Sequence, residues 1–252
     1  MAVEDSGAPI EERMIKRLTK RFLLLVVLAG LSLIAEGQRS RVMHDAWYDD
    51  RPLHFGFTVG FNTMNFRITP SQEAFSSDSL FPNVAVLKPG INIQIVTNYK
   101  PNPFIDVRFL PGVSFGQRSI VYFKDSEVFN DQQRLESSFL EFPFIVKYKG
   151  ARLNNVRPFI AGGLNYRYDL AGKREFDEEK PVYLRLKRSD LYYEAGVGLE
   201  IYLPYFKLTV EGKLSNGLRD VLVRDAAPGQ AHFVNAIERM KSQIWVLSFH
   251  FE

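Results

Sequence analysis

The sequence predicts an all-β fold, an eight-stranded antiparallel transmembrane β-barrel of the outer-membrane type with short periplasmic turns and long outer loops. Three observations carry this reading. Apolar residues occupy every second position in eight separate runs, the period-two signature of strands with two unlike faces. The connections between those runs alternate strictly between short and long, as they do in barrels whose turns face the periplasm and whose loops face outward. The polar face of the runs carries acids and bases in equal number: Asp106, Glu141, Asp169, Glu194, Glu200 and Glu211 against Arg108, Arg118, Lys147, Arg167, Lys207 and Lys213. An eight-stranded barrel is just wide enough for side chains to fill it. A balanced ionic interior is therefore what such a core requires, because unpaired buried charge is costly.

The elements follow in chain order. Lys16, Arg17, Lys20 and Arg21 precede an apolar run from Phe22 to Ala35, 14 residues long by count in the sequence. That is shorter than the roughly 20 residues a membrane-spanning helix needs. Ala35 and Gly37 stand at −3 and −1 of a cut between Gly37 and Gln38, the pattern of a cleaved secretory signal. An uncleaved anchor is the alternative, and translation starts at either Met1 or Met14. Residues 1–37 are thus read as an N-terminal extension with its signal peptide, 38–52 as a periplasmic segment, and 53–252 as the barrel.

The eight runs are Leu53–Phe61, Ile91–Tyr99, Ile105–Phe115, Leu140–Tyr148, Ile160–Tyr168, Leu191–Ile201, Phe206–Leu214 and Trp245–Phe251. Each is about as long as the 9–11 residues of a tilted membrane strand. Short turns are expected at Pro101-Asn102-Pro103, at 150–155 and at Pro204, and long connections at 67–84, 119–133, 172–188 and 218–241. The last run ends on alternating aromatics, with Phe251 penultimate and Glu252 last.

Composition agrees. Aromatic residues make up 13% of the chain, with 21 Phe and 11 Tyr against 2 Trp, which suits strands and interfacial aromatic girdles. A net charge of +3 and the lack of any long basic block interleaved with aromatics argue against nucleic acid as a partner. With no cysteine, disulfides, thiol chemistry and Cys-ligated zinc are excluded.

Motifs that resemble catalytic chemistry carry little here. Gly112-Val113-Ser114-Phe115-Gly116 spells G-x-S-x-G, but that chemistry needs a strand-to-helix turn, and Ser114 lies within an alternating strand. The histidines, His44, His54, His232 and His250, show no metal-ligand spacing. His54 and His250 fall on the first and last strands, where a structural hydrogen bond near the periplasmic rim is expected. Gly196 and Gly198 lack the third glycine and the helix of a nucleotide loop. No catalytic residue and no cofactor are therefore assigned. The mixed-charge stretch Lys173–Arg188 reads as a solvated outer loop, open to contact with lipopolysaccharide or a partner. Apolar residues on 218–241 (Val221, Leu222, Val223, Phe233, Val234, Ile237) suggest either partner contact or packing over the barrel mouth.

Two stretches, Arg108–Ser119 (RFLPGVSFGQRS) and Leu140–Leu170 (LEFPFIVKYKGARLNNVRPFIAGGLNYRYDL), resemble the PorT family of outer-membrane barrels of Bacteroidota. The opening strand HFGFTVGFNTMNF and the terminal SFHFE resemble it too, so the likeness runs from about His54 to the end. The resemblance implies an accessory role in the type IX secretion system, which exports cargo bearing a C-terminal signal and is associated with gliding motility in some members. It implies outer-membrane lipids and other secretion components as partners, and brings no catalytic residues. The alternative is a barrel of the same architecture serving envelope integrity, adhesion or small-solute binding.

Overall fold

Strands with one apolar and one polar face bury the polar face only if the sheet closes on itself and its outside is not water. The computed structural model describes residues 44, 48, 51–72, 81–84, 88–124, 127–171, 184–224 and 234–252, with only the backbone of 81–84, 119, 121–124 and 127–134. The expected signal sequence with its Gly37–Gln38 cut, most of the Lys173–Arg188 stretch, His232 and Phe233 lie outside the described residues.

The strands are β1 (Leu53–Pro70), β2 (Phe81–Val84), β3 (Pro89–Asn102), β4 (Ile105–Phe109), β5 (Gly112–Lys124), β6 (Glu127–Lys149), β7 (Val156–Asp169), β8 (Arg185–Leu186), β9 (Ser189–Tyr202), β10 (Lys207–Gly217), β11 (Leu222–Val223) and β12 (Ile237–Phe251). β1, β12, β10, β9, β7, β6, the collinear pair β4 and β5, and β3 pair antiparallel in that order, and β3 pairs back onto β1. The ring therefore closes with eight staves. From Asn65 the partners run Gln243, Asn216, Tyr193, Leu164, Phe144, Phe109, Thr97 and back to β1 at Phe55, ten residues from the start. That stagger is the shear that tilts barrel strands by about 35–45°.

The faces sort as the alternation predicts over the lower part of the barrel. Phe55 (64% exposed), Ile95 (63%) and Val197 (63%) point outward, while Thr58, Gln94, Arg108, Lys147 and Glu200 are buried inside. On β1 the outward apolar positions run from Leu53 to Phe61. At a rise of about 3.3 Å and this tilt they make a belt roughly 20–25 Å high, the height of the apolar band of outer-membrane barrels. Inside, the bore is narrow. A Cβ on Gly198 would lie 2.4 Å from the Phe159 ring, so the glycine makes room for that ring.

The short turns fall where expected. Asn102 Oδ1 accepts from the Phe104 and Ile105 amides at 2.9 and 2.8 Å, an Asx turn of the kind that asparagine forms with its own backbone. Asn154 takes a positive φ of 54° in the β6–β7 turn, and the Leu203 amide closes the β9–β10 turn on the Phe206 carbonyl at 3.0 Å.

The expected long loops are corrected in three places. The stretch 119–133 is not a loop: β5 and β6 continue as a paired ribbon to Lys124↔Glu127, and β2 adds to its β5 edge. Above the apolar belt a ribbon has no lipid-facing side, so nothing in its sequence needs to alternate. The connections 67–84 and 218–241 also give up residues to strands, since β1 reaches Pro70 and β12 begins at Ile237. There the alternation inverts. Met64, Phe66, Met240 and Ile244 are buried inside, while Asn65, Arg67, Arg239, Lys241 and Gln243 take the outward positions.

Candidate functional site

The interior is not one ionic core but layers. At the end carrying the short turns, four cations meet four carboxylates. Lys147 Nζ lies 2.5 Å from Glu200 and 3.9 Å from Asp106, and Lys149 reaches Asp106 at 2.5 Å. Lys207 bridges Glu200 (3.2 Å) and Glu252 (2.6 Å). Arg108 pairs with Glu252 and lies 3.7 Å from Glu211. His250 joins this group, with Nε2 3.3 Å from Glu211 and Nδ1 2.6 Å from the Thr58 hydroxyl. The Lys147 ammonium also sits 4.1 Å above the Phe159 ring.

On the side of β3, β6 and β7 an apolar patch of Val96, Leu110, Ile145 and Ala161 follows. Beyond it lies the second network, two cations with two carboxylates. Arg167 pairs with Glu141 (2.9 Å) and Glu194 (3.0 Å), and Lys213 with Glu194 (3.1 Å). Glu141 also accepts from Ser114 on Oε1 (2.6 Å) and from Gln94 on Oε2 (2.8 Å), and Glu194 Oε1 accepts from Asn165 (2.8 Å) and Ser215 (2.9 Å). Each layer is thus balanced in sign, and its charges face opposite charges as burial demands. These carboxylates already face cations, which leaves them poorly suited to ligate a metal.

Ten of the twelve charged residues singled out from the sequence lie in these two networks. Asp169 instead accepts from the Ser138 and Ala171 amides at 3.4 and 2.9 Å, and Arg118 is buried apart from the networks, sandwiched between the Phe66 and Phe139 rings at 4.6 and 4.9 Å. Sequence reasoning missed Lys149, in phase with Lys147, and Glu252, in phase with Ser248 and His250. Ser114 of the G-x-S-x-G string is an interior strand residue bonded to Glu141, in no elbow.

Both ends are covered. At the turn end, Tyr48 stacks on His54 (3.9 Å between ring centres, 9° between planes) and donates its hydroxyl to Glu252 at 2.6 Å. Burial, together with the Glu252 carboxylate, pushes the Tyr48 phenol well above its usual value, so it stays protonated and donates. Arg152 lies 3.6 Å over the Tyr202 ring and donates to the His44 carbonyl. At the loop end, Phe66, Ile120, Leu184, Val221, Leu222, Val234, Ile237 and Met240 form an apolar cluster, and β11 pairs with β8. Of the two readings of the 218–241 apolar residues, packing over the barrel mouth accounts for these four.

A family model described as an outer membrane protein β-barrel domain matches residues 36–223. The chain belongs to this outer-membrane barrel family. It is an outer-membrane protein, and in such barrels the short turns face the periplasm; the apolar cluster therefore lies at the outward end. No curated protein matches the chain. Among solved structures, it is similar to the outer membrane protein OprG of Pseudomonas aeruginosa at 11% identity, with 78% of this chain and 93% of that one covered and a TM-score of 0.45. It is also similar to Ail, the attachment invasion locus protein of Yersinia pestis, in complex with the heparin analogue sucrose octasulfate. There the identity is 11%, the coverage 78% and 96%, and the TM-score 0.36.

Proposed function

We propose that this protein is a non-conducting, non-catalytic outer-membrane barrel that works through contacts of its outward end with other envelope components. The observation that carries this reading is the filled interior: two charge-balanced networks, an apolar patch on one wall between them, and an apolar cluster over the outer mouth. A solute has no path through such a bore, and a folded protein far less. What the barrel offers its surroundings is its outer surface, its loops and the β5–β6 ribbon. Ser114 and His250 are engaged in interior hydrogen bonds, and the His54 ring stacks on Tyr48.

Within that role two finer readings stand. The match to a general outer-membrane barrel family favours a broad envelope role, in integrity or adhesion; the filled bore speaks against solute binding inside. The PorT-like reading, an accessory of type IX secretion, rests on the resemblance of Arg108–Ser119 and Leu140–Leu170 alone. The two are separated by comparing extracellular and outer-membrane proteins from cells with and without the gene. Loss of C-terminal-signal cargo outside, with its build-up in the periplasm and other barrels unchanged, supports the secretion reading. Unchanged export, with leakage of periplasmic proteins or altered surface attachment, rejects it in favour of the envelope role.

A further inference from the structure

The lipid-facing wall is not uniformly bulky. A cavity of about 860 Å³ runs across the outside of β1, β12, β10, β9 and β7. It lies between two rows of outward side chains that follow the hydrogen-bonded ladder. One row runs Phe61, Leu247, Gly212, Val197 and Ile160; the next, two residues further out along each strand, runs through Trp245, Leu214 and Ala195. Its floor opens at Gly212 and Ala195. Gly212 is exposed, and a Cβ placed there would meet no atom within 4 Å. Because the ladder rises around a sheared barrel, the groove does not circle at one depth. It starts near mid-barrel at Ile160 and climbs to the outward edge of the apolar belt at Thr63 and Pro89.

Directly above that upper end stands a basic rim. Arg67 and Lys241 are paired across β1 and β12, Arg239 pairs with Thr69 one step further out, and all three take outward positions. No carboxylate pairs with any of them among the described residues. Arg67 is four residues beyond Thr63, roughly 13 Å along the strand. Given the strand tilt, that puts its guanidinium at headgroup level just above the hydrocarbon.

The groove's width decides what fits. Outward rows two residues apart stand roughly 7 Å apart centre to centre, and where Gly212 and Ala195 lack bulk the gap takes a single hydrocarbon chain but not a transmembrane helix about 10–12 Å across. Its direction decides the leaflet, since it opens at the outward headgroup level. Its rim decides the charge, because guanidinium and ammonium groups with no ion-paired carboxylate among the described residues select phosphate. We propose that this groove and rim seat a phosphorylated, multi-acylated lipid of the outer leaflet, of the lipid A class. One acyl chain lies between the two rows, and a phosphate rests against Arg67, Arg239 and Lys241.

The test uses the full chain in mild detergent and native mass spectrometry. The probes are bisphosphorylated lipid A, its dephosphorylated form, and phosphatidylglycerol. The variants are Gly212→Leu, which fills the groove from open space, and the triple Arg67→Ser, Arg239→Ser, Lys241→Ser. Unheated gel mobility reports whether each variant barrel is folded. Expected are wild-type retention of bisphosphorylated lipid A and at least a five-fold loss in each folded variant. At least a five-fold lower retention of the dephosphorylated form and of phosphatidylglycerol is expected as well. Wild-type retention by both variants overturns the site. Loss in Gly212→Leu but not in the triple variant overturns the phosphate assignment. Equal retention of phosphatidylglycerol overturns the outer-leaflet assignment. A change of oligomeric state in Gly212→Leu makes the groove a protein interface and overturns the lipid reading.

Discussion

Glu200 accepts from Lys147, Lys207 and Tyr202 in the layer nearest the periplasm. Glu200→Gln leaves two buried ammonium groups short of charge, so it is expected to cost about 3–5 kcal/mol, the range for breaking a buried pair. Glu136→Gln, on an exposed side chain, is expected to change stability by less than about 0.5 kcal/mol. Urea midpoints of the barrel refolded into lipid vesicles measure both; equal midpoints for the two variants would sink the idea that the network is structural. Most of this network could be read from single residues, because inward positions on a strand recur every two. Lys149 and Glu252 obey the same rule and were missed for being at a strand's end, where the run of apolar neighbours that marks the phase has stopped. Arg118 was legible as inward, but its place between two aromatic rings was not. Phe139 stands on the neighbouring β6, whereas Phe66 comes from β1, two staves away.

Asp220 shows how a loop is held as an element. Its Oδ1 accepts from the Leu222 and Met240 amides at 3.2 and 3.1 Å and its Oδ2 from Arg224 at 3.0 Å, tying the stretch before β11 to the start of β12. Partial burial opposes ionisation, but the two amides and the guanidinium outweigh it and hold the carboxyl below its ordinary value. A depressed folded pKa contributes stability above the unfolded value, about 3.9, and loses it as pH falls through the folded one. Amide protection at Leu222 and Met240, corrected for intrinsic exchange, should therefore fall in the wild type between neutral pH and about pH 3. Asp220→Asn should be less protected at neutral pH and show little further change; protection in the wild type that is flat with pH would remove Asp220 from this role. The inverted halves of β1 and β12 escaped the alternation reading for a related reason. Apolar-out describes only the stretch that touches lipid, and above the belt the same strand must turn apolar side chains toward the cap.

For the whole molecule, the balanced layers predict a barrel without a conducting path. Reconstituted in planar bilayers, the wild type should give no stepwise conductance; sustained openings would mean that the ionic layers part under voltage and would reject the sealed reading. Strand number, the alternating turns and loops, the lipid-facing belt and the sign balance of the interior were determined by the sequence. All four follow from local periodicity and from the rule that charge is buried only in pairs. The tertiary structure alone decided which charges pair, that they gather in two layers with an apolar patch on one wall between them, and that the 119–133 stretch stands up as a ribbon. It alone also decided that the wall carries a groove. These depend on the ten-residue stagger between Asn65 and Phe55 around the ring. That stagger sets which residues of distant strands share a height, and no single strand carries it.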